Sequence, residues 1–280
     1  MTLTTIDNSK EIEFIKMNGA GNDFVIIDQR KKNFNLTNQD LIDMCDRNYG
    51  IGCDQLVIIS NSEICNCHMT IYNNDGSTSE ACGNATRCVA AIIFNENHQL
   101  TNIKIQTIAG ILDCKRESSN MISVSMGIPK FHWHEIPLKE MQETQCFNLY
   151  GYKAYCANIG NPHTVIFLDH KIPDSEFFAI GPKIENSPIF INKTNVEFAY
   201  ITSNYHIKAR VWERGAGETK ACGSGACAIA AIAIKNKLID NHKTLISYPG
   251  GDLYIEWNDP NNSIIMTGDY EIEYEGEYII

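Results

Sequence analysis

No apolar run in this 280-residue chain approaches the roughly 18 residues that a membrane-crossing helix needs. The opening MTLTTIDNSKEIEF has no basic start followed by an apolar core, so no signal peptide is expected and the stretch reads as a polar lead-in. A basic surplus is missing too. Lys and Arg total 23 against 34 Asp and Glu, a net charge of −11, which disfavours nucleic acid and anionic membrane as partners. There is no like-charged tail and no low-complexity linker. Cys65, Cys67 and His68 stand close together, but no second pair lies at zinc-type spacing, so alternate residues of a strand are the preferred reading and no metal is expected.

What the chain does have is 11 cysteines, an odd count in a long sequence, which argues for free thiols in a reducing cytoplasm rather than a disulfide framework. Hydrophobic content of 44% with 20% charged residues supports a sizeable core. Strand-like runs dominate: FVIID (24–28), QLVIIS (55–60), HMTIYN (68–73), NIKIQT (102–107) and MISVSM (121–126) in the first half. The second half offers YKAYCANI (152–159), HTVIFLD (163–169), NVEFAYI (195–201), HIKARVWE (206–213), TLISYP (244–249), DLYIEW (252–257) and SIIMTG (263–268). Helices are expected over about 38–47, behind a Thr37/Asn38 cap, and over about 175–186. Two more follow SEACGNATRCVAAIIFNEN (79–97) and ETKACGSGACAIAAIAIKN (218–236). These last two lack a polar face, which predicts burial on every side.

The two buried helices also repeat each other. At an offset of 140 residues, Ala81, Cys82, Gly83, Ala90, Ala91 and Ile92 fall on Ala221, Cys222, Gly223, Ala230, Ala231 and Ile232. One residue out of that register, Gly21-Asn22 falls on Gly160-Asn161. A duplicated lobe is the reading, with a ligand cleft between the copies. The fold class expected is α/β (α+β): two pseudo-symmetric lobes, each a mixed sheet or barrel wrapped around one apolar helix. The lobes are set at 1–126 plus a returning strand at 269–280, and at 127–268, with GIPKFHWHEIPLKE (127–140) as the crossover.

A cysteine at a helix start lies among unpaired N–H groups and a partial positive charge, conditions that favour thiolate and lower the thiol pKa. Two such cysteines aimed at one cleft suit a specific task. A thiolate removes a proton from carbon on one face, and a thiol returns one on the other, inverting the centre. The helix starts would hold the adjacent carboxylate and stabilise the carbanion, so no cofactor is required. No lysine stands in a context that marks a pyridoxal phosphate site.

KMNGAGNDFVIID (16–28), GIGCDQL (50–56), YNNDGSTSEACGNATRC (72–88), IGNPHTV (159–165), NVEF (195–198) and WERGAGETKACGSGACA (212–228) are similar, in order, to the signatures of the diaminopimelate epimerase family. The resemblance implies a cofactor-independent, cytoplasmic isomerase of lysine and peptidoglycan precursor biosynthesis that interconverts LL- and meso-diaminopimelate. It implies Cys82 and Cys222 as the acid/base pair. Gly83, Asn84, Gly223 and Ser224 would supply helix-start donors. Asn22, Gln55, Asn73, Asn161 and Asn195 would touch substrate, Glu213 and Arg214 would handle its amino and carboxylate groups, and His163 would support the centre. Ala85 departs from the family's usual glycine. The partner implied is the small-molecule substrate, and a homodimer is left open.

Three rivals are weighed against this. A proline or hydroxyproline-type racemase shares paired cysteines but has no distal amino acid group to engage Glu213 and Arg214. A cysteine hydrolase using Cys82 and His163 leaves Cys222 without a task. A non-catalytic amino-acid-binding protein gains nothing from two opposed thiols.

Overall fold

A computed structural model of the chain describes residues 11–80 and 82–280, so residues 1–10 of the polar lead-in and Ala81 of the repeat lie outside the described residues. The first half forms β1 (Glu11–Gly19), β2 (Asn22–Asp28), α1 (Asn38–Cys45), β3 (Gln55–Ser60), β4 (Cys67–Asn73), β5 (Thr78–Ser79), α2 (Gly83–Glu96), β6 (Asn102–Thr107), β7 (Gly110–Arg116) and β8 (Met121–Ser125). The second half forms β9 (Gln145–Leu149), β10 (Tyr152–Asn158), β11 (Pro162–Phe167), α3 (Asp174–Glu185), β12 (Asn195–Ser203), β13 (His206–Glu213), β14 (Gly217–Thr219), α4 (Gly223–Lys235), β15 (Lys243–Tyr248), β16 (Gly251–Glu256), β17 (Ile265–Asp269) and β18 (Glu271–Ile279).

The duplication is written in the hydrogen bonds. The first lobe pairs its strands in the order β18–β1–β2–β3–β4–β6–β7–β8. The second pairs β9–β10–β11–β12–β13–β15–β16–β17, with parallel and antiparallel steps in the same places. Register agrees as well. Leu56 opposes Tyr72 and Ile71 opposes Ser79, while 140 residues on (56 to 196, 72 to 212, 71 to 211, 79 to 219) Val196 opposes Trp212 and Val211 opposes Thr219. Chance similarity between two alanine-rich helices would not carry a matching ladder with it.

Antiparallel pairing of β8 with β17 joins the lobes. The last strand, β18, pairs with β1, so each lobe ends on a strand that follows the other lobe in sequence. We propose the lobe boundaries at 126/127 and 268/269, a division these ladders support, although β17 itself runs on to Asp269. Residues 127–140 form no named strand or helix and bridge to the second lobe through Lys130–Asn158 and Leu138–Phe190.

The two apolar helices occupy the lobe centres. α2 packs on β1, β2, β6, β7 and β8, and α4 on β10, β11, β12, β15 and β16; both touch β17. Every residue from Gly83 to Phe94 is buried, as is the whole stretch from Gly225 to Ala233. α1 and α3 lie outside this centre, over satellite clusters of their own. α1 begins with a capping box in which Thr37 and Asp40 satisfy each other's backbone N–H groups.

Candidate active site

Sheet geometry brings the polar residues together. Parallel strands β2 and β3 begin, and antiparallel β4 ends, at the same rim of the first lobe. Asn22, Gln55 and Asn73 stand on those three termini. In the second lobe β11 and β12 begin and β13 ends at the equivalent rim, which carries Asn161, Asn195 and Glu213. The two central helices start at the same rims.

Cys82 and Cys222 are the N-caps of α2 and α4, in nearly the same extended conformation (φ −144°, ψ 113° and φ −134°, ψ 116°). Cys82 is half-buried and Cys222 buried. The starts of both helices close on one residue. A Cβ added at Gly83 would lie 2.5 Å from Met266 Cε, and one at Gly223 would lie 2.9 Å from Met266 Sδ and 3.4 Å from Asn84 Oδ1. Glycine at both positions therefore lets the two helix starts converge on Met266.

The sulfurs meet different neighbours. The Cys82 thiol donates to Asn22 Oδ1 at 3.8 Å. Cys222 Sγ accepts from the Gly225 N–H at 3.4 Å and lies 3.5 Å from Ser224 Oγ. Here the expected pKa direction is corrected. Burial pushes the Cys82 thiol up to about 11, with the Glu213 carboxylate adding to the rise, and the N–H groups of Asn84 and Ala85 offset only part of it. Cys222 is likewise raised well above the ordinary thiol value by burial, then by Glu213 and Glu197. The helix start acts in the anticipated direction, but desolvation of the charged form outweighs it.

Glu213 connects the two cysteines electrostatically. Burial raises its own pKa, and it accepts a hydrogen bond from the Thr219 hydroxyl. His163 is enclosed, with Nδ1 2.6 Å from Glu197 Oε1 and Nε2 2.8 Å from Asn161 Oδ1. The imidazole is thus held through both ring nitrogens, by Glu197 on one side and Asn161 on the other. The second Glu197 oxygen and the Tyr248 hydroxyl are buried without partners among the described residues.

In the first lobe Gln55 donates to Asn73 Oδ1 at 3.0 Å, and Asn73 donates to Ser77 Oγ at 3.0 Å. Gln55 Oε1 is buried and unpartnered among the described residues. Asn84 turns its side chain to Arg87, whose Nη1 donates to Oδ1 at 3.0 Å, while its backbone N–H acts on the Cys82 sulfur. Asn195 accepts from the Arg214 N–H at 2.9 Å. The Arg214 guanidinium is exposed and donates to the Asn192 carbonyl at 3.2 Å. Sequence reasoning missed Asp54, Glu197, Tyr248, Thr219 and Met266. Asp54 and Glu197 lie inside quoted motifs, where a buried or rim-facing acid among apolar strand residues was the available signal.

Comparison with known proteins decides the ancestry. The sequence profile of the family described as Diaminopimelate epimerase matches residues 14–132 and 155–273. The chain belongs to the diaminopimelate epimerase family. A diaminopimelate epimerase of Pelagibacter ubique is 43% identical over 266 residues, spanning 92% of this chain and 95% of that protein. One from Carboxydothermus hydrogenoformans is 42% identical over 279 residues, spanning 96% and 100%. Among solved structures, a PhzF-family phenazine biosynthesis protein of Bacillus anthracis superposes with a TM-score of 0.68 at 15% identity, covering 97% of this chain and 100% of that one. A hydroxyproline epimerase of Agrobacterium vitis superposes at 0.66 with 11% identity, covering 96% and 91%. At these identities the structural matches establish the shared fold, while family membership rests on the sequence matches.

Proposed function

We propose that this member of the diaminopimelate epimerase family interconverts LL- and meso-2,6-diaminopimelate, an isomerase reaction of lysine and peptidoglycan precursor biosynthesis. The observation that carries the reading is the placement of Cys82 and Cys222 as matching N-caps of two helices whose starts converge on Met266.

One thiolate takes the α-proton, and the bonding electrons remain on the α-carbon and its carboxylate. The opposite thiol then delivers its proton to the other face of that carbon. The cysteines end with exchanged protonation states, so the reverse reaction uses the same pair with roles reversed. The N–H groups of Gly83, Asn84, Gly223 and Ser224 face the carboxylate where negative charge develops. Gln55 Oε1, Asn22, Asn73, Asn161 and Asn195 hold the polar ends of the substrate, and Arg214 reaches a carboxylate from the rim.

The raised thiol pKa values fit this scheme. Glu213 contributes to the rise at both cysteines. A substrate ammonium paired with Glu213 cancels that contribution and makes the thiolate easier to form once substrate is bound. His163 lies close enough to Glu213 to offset part of the rise that burial gives its carboxyl.

All 11 cysteines are free, in keeping with a reducing cytoplasm. Among the described residues no helix is long and apolar enough to cross a membrane. A homodimer is compatible with the reading.

The test is incubation of the reduced protein with LL-diaminopimelate in D₂O, without pyridoxal phosphate. The expected result is the meso isomer with deuterium at the inverted carbon. No exchange with diaminopimelate, together with racemisation of proline, would overturn the substrate and keep the thiol chemistry.

A further inference from the structure

Behind the catalytic rim of the first lobe lies a charged network with no role so far. Asp54 Oδ2 accepts from Asn22 Nδ2 at 2.8 Å and from the Asp23 N–H at 3.2 Å. Its other oxygen accepts from Arg47 Nη2 at 2.6 Å. Arg47 also forks onto Asp23, at 3.0 Å and 2.7 Å, and Lys16 Nζ pairs with Asp23 at 2.5 Å. The Asp54 N–H in turn donates to Asp23 Oδ1 at 3.1 Å. Asp54 is thus anchored through both oxygens and its backbone.

That anchoring has a chemical consequence. A carboxylate only accepts hydrogen bonds, so the group Asn22 shows it must be the NH₂ of its amide. The amide oxygen is then forced to the opposite side, where Cys82 Sγ lies 3.8 Å away. An oxygen acceptor beside sulfur favours the protonated thiol and repels the thiolate. The second lobe lacks this device. Asn161, the repeat partner of Asn22, turns its oxygen to His163, and the residue 140 positions after Asp54 is Thr194.

We propose that Asp54 is a positioning residue for the epimerisation: by holding Asn22 Nδ2, it keeps Asn22 Oδ1 against the Cys82 thiol and so holds the proton on that sulfur. The inference rests on Cys82 being one of the two acid/base groups. The other charged groups acting on Cys82 are Glu213 from β13 and Arg87 one turn along α2, and neither is altered by changing Asp54. In D54A the Asn22 amide is free to rotate and offer its NH₂ to sulfur, which favours thiolate.

The readout is the pH dependence of iodoacetamide alkylation at Cys82, followed by mass spectrometry of its peptide in the substrate-free protein. In D54A the midpoint moves to lower pH, and alkylation at pH 8 quickens about tenfold for a shift of one pH unit. D54N, whose remaining oxygen can still accept from Asn22, lies nearer the wild type. N22A shifts the midpoint by itself, and D54A adds nothing in that background, because the two act through one contact. In the epimerase assay the alkaline limb of kcat/KM moves down with the alkylation midpoint. An unmoved midpoint in a D54A protein that melts normally, or additive shifts from N22A and D54A, would overturn the proposal. If D54A shifts the midpoint but alkylated Cys82 still supports epimerisation, the positioning stands and the catalytic assignment of Cys82 falls.

Discussion

His163 and Glu197 face each other on adjacent parallel strands, β11 and β12, with Nδ1 and Oε1 2.6 Å apart and neither side chain exposed to solvent. With no water in reach, each polar group depends on the other for its hydrogen bond. E197A leaves His163 Nδ1 buried without its partner and is expected to cost about 1–3 kcal/mol of stability. H163A strands the carboxylate in the same way. Urea denaturation of both single variants and of the double variant checks this: the double variant should be less destabilised than the sum of the singles.

Gly225 is held small by two side chains from other strands. A Cβ there would lie 2.7 Å from Glu197 Oε1 and 3.0 Å from Tyr248 OH. The position that matches it in the first lobe is Ala85, and the one that matches Glu197 is the apolar Val57. G225A should therefore lower stability by about 1–3 kcal/mol through overpacking. The mirror change A85G should cost about 1 kcal/mol at most, from helix propensity and the lost methyl. Thermal melts of the two variants side by side give the comparison. Equal costs would mean that the cluster under α4 yields readily.

Replacing Cys82 or Cys222 by alanine removes either the acid or the base in both directions of turnover. Each variant should lose about 10³-fold in kcat, within the range ascribed to a positioned proton-transfer group. Chiral separation of the product in each direction measures it. Retention of most activity by one variant would dismiss the two-base scheme. Mild oxidation should link Cys82 to Cys222, because their helix starts converge on Met266, and should abolish activity reversibly; peptide mapping under non-reducing conditions identifies the bond.

Burial pushes the Cys82 thiol up to about 11, which favours thiol over thiolate at neutral pH. Alkylation of wild-type Cys82 without substrate should quicken with each step in pH up to about 11. Neutralising Glu213 by E213Q removes one cause of the rise, so the midpoint should fall. A midpoint that rises in E213Q would contradict the electrostatic link between Glu213 and Cys82.

Asp23 supplies a pH dependence of stability. Burial raises its pKa, but Arg47 and Lys16 outweigh that and hold it well below the ordinary value of 3.8. A depressed folded-state pKa adds stability that is complete above the unfolded value and disappears as pH falls through the folded one. D23N should accordingly cost about 2 kcal/mol at pH 7 and less at pH 3, where the unfolded carboxyl is protonated. Denaturant titrations at the two pH values test the sign.

Much of the fold could be read from residue order. QLVIIS and NIKIQT coincide with β3 and β6, and the helix behind the Thr37 cap runs over Asn38–Cys45. The paired Cys-Gly starts pointed to both central helices because an all-apolar helix has only one place to be. β1 and β7 escaped notice. Glu11 and Glu13 interrupt the first by facing solvent and Lys16 by burying its charge against Asp23, while Asp113 and Lys115 face solvent in the second. The site was legible where a motif names its own residue, as at Cys82 or Asn161. It was not legible where the interaction needs three dimensions. Tyr248 lies 51 positions beyond Glu197, and nothing local says that both close over Gly225. The thiol pKa direction was misjudged for the same reason: a helix start is visible in sequence, and the depth at which it is buried is not.

The ladder between β1 and β18 joins Ile12 to Tyr278 and Glu11 to Ile279. During synthesis, then, the first strand made waits for nearly the last one. At about 5–20 residues per second, that leaves a strand edge open for tens of seconds while the rest of the chain emerges. Its length and exposed backbone make it a pairing hazard in that interval. Glu11 and Glu13 repel the same edge of a neighbouring nascent chain, whereas in the finished ribbon only Glu277 stands opposite one of them, Glu13. Acidity along this ribbon thus acts in time, keeping the edge solitary until its own partner leaves the ribosome.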